Sequence, residues 1–357
     1  MSLQAGSVLD LVATTLANLD KGKVTDLMTD LQSYYALPNI LQKEKISFKG
    51  GTSIKVNAVM SDNGSARNTG LYETVNRNKT DSVVAGEIPW RHTHAYMMMD
   101  EREMDMNTGD PALEILEMWK IERARMFQSM AGRFESDFWA KPVSSTDTRQ
   151  PFGLEYWNVY NATTGFTGGN PAGFTSGAAG LDTSTYTRWK NYSANYSVIS
   201  QDDLIDKVLK AIYCCSFQSP VDLPGSFQET RFGFYTVYSV KRGIEKIMQF
   251  SNDSLADFSQ YNNTTLIKSL PVHAVPQLDV KDAATAGTYT GSPSAPFYGI
   301  DWNSFSPVFL SGWWLKEKPP AFDTNQPTVI LVDCFSTYNY RCTNRRNQFV
   351  MATGMLS

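Results

Sequence analysis

The chain is short of charged residues and of the histidines that many enzymes use as general bases. Charged side chains make up 19% of its 357 residues, below the roughly 25% of typical soluble domains. A surface with so few charges suggests that other subunits cover part of it. Only three histidines are present, and the net charge of −4 excludes a global basic field for holding nucleic acid. Any contact with DNA is therefore expected to be local and weak.

Long apolar runs and secretion signals are also missing. No run of eighteen apolar residues occurs, so the sequence predicts no membrane-spanning segment. The first apolar stretch, Ser7–Leu11, contains an acid and follows no basic region, so no signal peptide is predicted. The four cysteines, Cys214, Cys215, Cys334 and Cys342, form no CxxC pair. This usage favours reduced, packed thiols in a protein made in the cytosol.

Motifs for catalysis and for nucleotide binding are absent as well. No GxSxG sequence occurs, and Thr175-Ser176-Gly177 lacks the flanking strand-to-helix turn of a nucleophile elbow. Neither GxGxxG nor GxxxxGK[ST] is found. Cys214 lies among apolar residues of a predicted helix, where a thiol more often packs than reacts. We therefore predict no catalytic residue and no cofactor.

Two clusters have the composition of weak metal sites. His92 and His94 would lie on one face of a strand, a spacing that some metal sites use. The acidic stretch 100–105 offers oxygen ligands for a divalent cation. The only other histidine is His273, and no third ligand is evident. Polar side chains that are solvated or contact a neighbour are the simpler interpretation of both clusters, so no metal site is predicted.

The N-terminal third has patterns of structures that are too small to fold alone. Apolar residues at helical spacing predict an arm of short helices within residues 1–45. Between residues 46 and 104, apolar and polar residues alternate, which predicts a long β-hairpin with polar tips at 61–68 and 76–81. A two-stranded ribbon is marginally stable in water, so this one must lie on another surface.

The strongest helix pattern spans residues 111–139. Asp110 is a good N-cap, and Pro111 suits the first helical position. Such a helix would be roughly 43 Å long. One apolar stripe follows it, formed by Leu113, Leu116, Phe127, Met130, Phe134 and Phe138, and further apolar residues (Ile115, Met118, Trp119, Ile121 and Met126) lie on other faces. An apolar surface this wide predicts a central spine.

The remainder alternates between loops and ordered elements. Loops rich in Gly, Thr, Ser, Asn or Ala are predicted at 144–187 and 279–294. The predicted ordered elements are a helix capped by Ser200, a strand at 232–238, a helix near 240–250, and aromatic β segments at 298–315 and 329–350 with a turn near 343–347.

Short stretches in the C-terminal half resemble a group of tailed-bacteriophage major capsid proteins. They occur in colinear order over roughly residues 185–350: Arg188–Asn191 with Ser200–Ile205, Phe232–Tyr235, Asn252–Leu255, Tyr298–Trp302, Phe309–Lys316 and Asn344–Phe349. The first 110 residues resemble that family in architecture alone. The resemblance implies an α+β fold, the tailed-phage major capsid fold, with an N-arm, an E-loop hairpin, a peripheral domain with a long spine helix, and an axial domain.

On this resemblance, the chain divides into five segments. They are the N-terminal arm (1–45), the E-loop β-hairpin with flanking peripheral strands (46–104), the spine helix of the peripheral domain (105–143), the axial domain with Gly/Thr-rich loops (144–295), and returning peripheral and axial β segments (296–357).

The resemblance also implies the function. The chain would self-assemble into hexamers and pentamers of an icosahedral head that encloses double-stranded DNA, built in the host cytoplasm with portal and possible scaffolding and cement proteins as partners. Contacts between subunits are expected from Arg77, Lys79, Trp90, Arg91, Glu101, Arg102, Arg345 and Arg346. Two alternatives remain open: another virion protein, such as a tail-tube or decoration protein, and a metal-dependent cytosolic hydrolase that uses His92 and His94.

Overall fold

Helices and strands are both present in the computed structural model, so the predicted α+β class is confirmed. The structure describes residues 35–61, 65–74, 83–102, 118–216, 230–251, 265–284, 288–324 and 326–356. Most of the predicted N-terminal arm lies outside the described residues.

The α-helices in the described residues are α1 (Met118–Trp139), α2 (Leu154–Trp157), α3 (Asp206–Cys215), α4 (Tyr238–Ser251) and α5 (Pro276–Asp282). A π-helical turn at Gln201–Ile205 precedes α3, and a 3₁₀ turn occupies Arg345–Asn347. The strands are β1 (Ile46–Phe48), β2 (Ser53–Val59), β3 (Val83–Pro89), β4 (Arg91–Asp100), β5 (Gly165–Gly168), β6 (Asn191–Asn195), β7 (Phe232–Thr236), β8 (Leu266–Ile267), β9 (Leu270–Ala274), β10 (Pro293–Ser294), β11 (Phe297–Asp301), β12 (Phe305–Leu310), β13 (Lys316–Glu317), β14 (Ala321–Phe322), β15 (Val329–Cys342), β16 (Phe349–Ala352) and β17 (Gly354–Met355).

The chain forms two compact units, and the smaller one contains residues 92–134 and 312–337. Here β4, β13 and β14 each pair with the first part of β15, the last two in antiparallel register. Along β4, Met97 and Met99 are buried while Tyr96 and Met98 are exposed. This alternation is the period-two pattern of a strand that buries one face.

The larger unit contains residues 34–91, 135–311 and 338–357. Its main sheet has seven strands in the order β5-β6-β16-β11-β7-β9-β8. The β6–β16 and β7–β9 pairs are parallel, and the β11–β16 and β11–β7 pairs are antiparallel. The central strands β11 and β16 are buried at every residue, as expected for strands covered on both faces.

The predicted hairpin is confirmed as an antiparallel ribbon, but it is shorter than 46–104. Strands β2 and β3 pair from Ser53 opposite Pro89 to Val59 opposite Val83. Strand β1 instead pairs in parallel with β12, and β4 pairs with β15. The prediction was too long because alternation of apolar and polar residues marks a strand without showing which strand it pairs with.

The spine helix ends at Trp139, as predicted, while residues 103–117 with its predicted N-cap lie outside the described residues. Met130, Phe134 and Phe138 are buried, but Phe127 is only half-buried and Met126 is buried in its place. The assignment of Phe127 to the buried stripe and of Met126 to another face was therefore wrong. The buried positions recur every four residues, which a helix of 3.6 residues per turn places on one face.

Ser200 caps its helix as predicted, because its hydroxyl accepts a hydrogen bond from the Asp203 backbone N–H at 3.1 Å. The prediction of a loop at 279–294 was wrong at its start, because residues up to Asp282 belong to α5. Pro276 occupies the first turn of α5, and its fixed φ suits that position. The predicted loop at 144–187 contains α2 and β5 and buries both Trp157 and Phe174.

Candidate intersubunit surfaces

Arg345, predicted to contact a neighbouring subunit, lies in the interior with 0% of its surface exposed. Its guanidinium donates hydrogen bonds to the carbonyls of Trp157 (2.9 Å), Trp189 (2.9 Å) and Gly169 (3.0 Å) and to Asn191 Oδ1 (3.1 Å). Burial lowers the pKa of Arg345 to about 10. The prediction for this residue is corrected: its donors are used to hold three segments of its own chain together.

Arg91 is also buried, which corrects the prediction that it contacts a neighbour. Its Nη1 donates to the Thr148 carbonyl at 2.6 Å and its Nη2 to the Asp147 carbonyl at 2.9 Å. The guanidinium lies 5.3 Å from the centroid of the Phe152 ring. Burial lowers the pKa of Arg91, partly offset by the nearby Asp147 carboxylate. The Arg91 side chain thus holds the loop that contains Asp147 and Thr148, in the same unit, in place.

The other predicted contact residues in the described part of the chain keep some exposure. Glu101 and Arg102 are exposed directly after β4. Trp90 is half-buried and donates its indole N–H to the Gly51 carbonyl at 2.8 Å. Arg346 is half-buried, with its guanidinium 4.3 Å from the centroid of the Phe166 ring. These four positions are compatible with a partner, whereas Arg77 and Lys79 lie outside the described residues.

The ribbon of β2 and β3 is anchored at one end and exposed at the other. Ile54, Val56 and Ile88 are buried, and the Glu87 backbone N–H donates to the Ala179 carbonyl at 3.0 Å. At the far end Val59 and Val83 are exposed. Between the strands, Leu71 and Tyr72 are almost entirely exposed. Two adjacent large apolar side chains that are exposed in this way make the segment a candidate contact surface.

A second exposed apolar surface lies on the outer face of the smaller unit. His94 stacks on Phe335 at a centroid distance of 4.6 Å and lies beside the exposed Tyr96, and Met98 is exposed on the same strand. The Lys318 ammonium lies 4.9 Å from the centroid of the Phe335 ring. The sequence interpretation missed this surface. The alternation of Tyr96 to Met99 could have indicated it, since two of four apolar residues in a half-buried strand must face outward.

The two histidines of the possible metal site bond to other side chains. His92 Nδ1 lies 2.9 Å from Thr337 Oγ1, and His94 Nε2 lies 2.8 Å from Asp333 Oδ1. Within the ranges that the structure describes, no group of three His, Cys, Asp or Glu side chains is placed to hold a metal ion.

The cysteines are free thiols, and three of them are buried. Burial raises the pKa of Cys334 to about 11 and that of Cys342 to about 12. Because the thiolate is the nucleophilic form, these two groups are unreactive near neutral pH. Among the described helices, none combines the length and the apolar character that crossing a lipid bilayer requires.

Solved capsid structures match the chain over nearly its whole length. A chain of the Cyanophage A-1(L) capsid asymmetric unit matches with a TM-score of 0.65 and 11% identity, covering 96% of this chain and 99% of that one. The chain has the fold of a tailed-phage capsid protein. The capsid of the native GTA particle matches with a TM-score of 0.59 and 11% identity over 94% of both chains. The capsid of Myoviridae Phage XM1 gives a TM-score of 0.55 and 8% identity over 98% of both.

No protein-family model and no curated protein matches the sequence. At 8% to 11% identity, the likeness to the three capsid structures is one of fold. The tailed-phage capsid fold predicted from the C-terminal stretches is therefore confirmed.

Proposed function

We propose that the chain is a major capsid protein that self-assembles into hexamers and pentamers of an icosahedral phage head enclosing double-stranded DNA. One observation carries this proposal: the fold matches capsid subunits over 94% or more of both chains in each comparison. A subunit of the same extent and architecture has the elements that such a shell requires.

The exposed apolar surfaces support an assembled state. Leu71, in the segment between β2 and β3, is 91% exposed, and Tyr96 and Met98 are more than half exposed on the smaller unit. In a shell, neighbouring copies would cover both surfaces. Each square ångström of apolar surface removed from water contributes about 25 cal/mol, and this gain recurs at every interface of a closed shell.

The proposed roles of the segments follow the fold. Residues 1–45 would form the N-arm, and the ribbon within 46–104 would be an E-loop lying over a neighbouring subunit. Residues 105–143 would carry the spine helix, 144–295 the axial domain and 296–357 the returning β segments. The proposed contact residues are Arg77, Lys79, Trp90, Glu101, Arg102 and Arg346, to which the exposures add Leu71 and Tyr72.

The proposed role is structural and requires no catalysis. The protein would be located in the virion after assembly in the host cytoplasm, beside a portal and any scaffolding or cement proteins. With a net charge of −4, its contact with the packaged DNA would be weak and non-specific.

Expression of the full chain followed by sedimentation and electron microscopy tests this function. We expect capsomer-sized oligomers or closed icosahedral particles. A stable, monodisperse monomer of 39.9 kDa would contradict the proposal. Tubes or stacked rings would instead support the alternative of a tail-tube protein.

A double variant tests the ribbon directly. Leu71→Ser with Tyr72→Ser should leave the monomer folded, because both side chains are exposed, and should reduce assembly at equal protein concentration. The matched control, Leu71→Met with Tyr72→Phe, keeps the apolar area and should assemble normally. Equal assembly of both variants, measured by light scattering, would exclude Leu71 and Tyr72 from the interface.

A further inference from the structure

The third histidine of the chain, His273, lies half-buried on β9 of the larger unit. Its imidazole packs against two tyrosine rings, with centroid distances of 5.2 Å to Tyr35 and 5.8 Å to Tyr235. The two tyrosine rings are 5.7 Å apart, so the three rings form one cluster. Within the described residues, neither ring nitrogen of His273 forms a hydrogen bond, and neither is sealed off from solvent. The aromatic contacts thus fix the imidazole and leave its nitrogens open to a ligand.

Two lysines bring positive charge to His273 from other elements. Lys43 is exposed in the segment before β1, and Lys241 is half-buried in the first turn of α4. Since α4 follows β7 after a single residue, and β7 pairs in parallel with β9, the start of the helix lies near His273. Burial lowers the pKa of His273, and the charges of Lys241 and then Lys43 lower it further. Lys43, Lys241 and His273 together form a basic cluster.

The acidic side chains of this region are already engaged. Glu44 forms an ion pair with Arg231. Glu135 is buried on α1, where its two oxygens accept hydrogen bonds from backbone and indole N–H groups. In the part of the chain that the structure describes, neither Lys43 nor Lys241 forms an ion pair with a carboxylate. The basic cluster therefore carries positive charge that these acids do not neutralise.

The chemistry of the basic cluster favours a phosphate group as its ligand. Two ammonium groups and one imidazole supply two positive charges, or three when His273 is protonated. A carboxylate carries a single charge, whereas a phosphate group carries up to two and accepts hydrogen bonds on several oxygens. Lys241 and His273 are half-buried, and partial removal from water strengthens the attraction of their charges to an anion.

We propose that the basic cluster binds a phosphate group, with the Lys43 and Lys241 ammonium groups as counter-ions and a ring N–H of His273 as a hydrogen-bond donor. The phosphate group comes either from a free ion or from the backbone of DNA. The cluster lies wholly within the larger unit, so a free ion can bind there whether or not the chain forms a shell.

An anion bound at the cluster raises the pKa of His273, because it stabilises the protonated ring. Affinity should therefore increase as pH falls through the range in which His273 gains its proton. Tyr35 and Tyr235 stay neutral in that range, since burial raises the pKa of both. Burial also raises the pKa of Glu135, so a variant of His273 is needed to assign the pH dependence.

Calorimetric titration of the full-length, unassembled chain with sulfate tests the site. Sulfate has the shape of a phosphate ion and keeps its double charge between about pH 5.5 and pH 7.5, the range in which a histidine titrates. With chloride as the background salt, we expect saturable binding that is about tenfold weaker in Lys241→Met. His273→Gln should lose the increase of affinity at low pH. Lys246→Met removes an exposed lysine from another face of α4 and should bind like the wild type.

Competition with a short DNA duplex distinguishes the two sources. If the phosphate group belongs to DNA, the duplex displaces the bound sulfate; if it belongs to a free ion, inorganic phosphate displaces the sulfate and the duplex does not. Either result supports a phosphate site. No saturable binding of sulfate, equal affinities in Lys241→Met and Lys246→Met, or an unchanged pH dependence in His273→Gln would overturn the proposal.

Discussion

Replacing Arg345 with Met removes a buried guanidinium while keeping an apolar side chain of similar length. Three backbone carbonyls, those of Trp157, Trp189 and Gly169, then lose this donor, whereas Asn191 Oδ1 keeps the hydrogen bond that it accepts from the Val159 N–H. A methionine side chain cannot bond to any of them. The substitution therefore removes the hydrogen bonds while changing the volume of the side chain little.

Two opposing contributions determine how much Arg345→Met changes the free energy of unfolding. Each buried acceptor left unsatisfied costs about 1 kcal/mol or more. Against this, the substitution removes a charge from a dry environment, whose cost is visible in the lowered pKa of Arg345. Because three carbonyls lose their donor and one buried charge is removed, we expect a net loss of about 2–4 kcal/mol in the free energy of unfolding.

Thermal unfolding of the unassembled chain measures this loss. A destabilisation of about 3 kcal/mol corresponds to a fall in Tm of roughly 6 °C or more in a unit of this size. The adjacent Arg346→Met is the matched control. Arg346 is half-buried and contacts the Phe166 ring, so its loss should cost below about 1 kcal/mol. Equal Tm values for the two variants would refute the argument.

Two further substitutions test other buried contacts. Gly168→Ala should destabilise by about 1–3 kcal/mol, because an added Cβ would lie 2.0 Å from Asn191 Oδ1, whereas the control Gly169→Ala meets nothing closer than 3.7 Å and should change Tm little. Burial raises the pKa of the Glu135 carboxyl above its ordinary value of 4.5. Between these two pKa values the folded chain keeps a proton that the unfolded chain releases. The free energy of unfolding of the wild type therefore falls as pH rises from 4.5 through the raised pKa. The stability of Glu135→Gln should lack this pH dependence when unfolding midpoints are measured up to about pH 8. A stability difference between variant and wild type that stays constant with pH would contradict the raised pKa of Glu135.

Local patterns in the sequence were sufficient for several elements. Ser200 followed by two aspartates predicted a capped helix start, and the structure shows the hydrogen bond that forms it. The alternating residues of β2 and β3 predicted a hairpin. These predictions succeed because a cap and a strand depend on neighbours that are close in the chain.

The position of Arg345 could not be predicted in the same way. Arg345 and Arg346 are adjacent and chemically identical, yet one is buried and the other is half-exposed. The difference arises from carbonyls at Trp157, Gly169 and Trp189, which approach only after distant segments have packed. No pattern in the neighbouring sequence predicts which backbone oxygens an arginine side chain will contact.

If the chain forms the proposed shell, the ribbon has a consequence for how errors of assembly would be corrected. Its anchored end packs on its own unit, whereas Val59 and Val83, paired at its far end, are exposed. In the proposed shell, a neighbour that covers this end would immobilise its exposed side chains, so part of the contact energy would be offset by lost side-chain entropy. Each single contact would then be weaker than its buried area alone suggests. Strength accumulates only when many copies close around one another, which allows a wrongly placed subunit to leave while the shell is still growing.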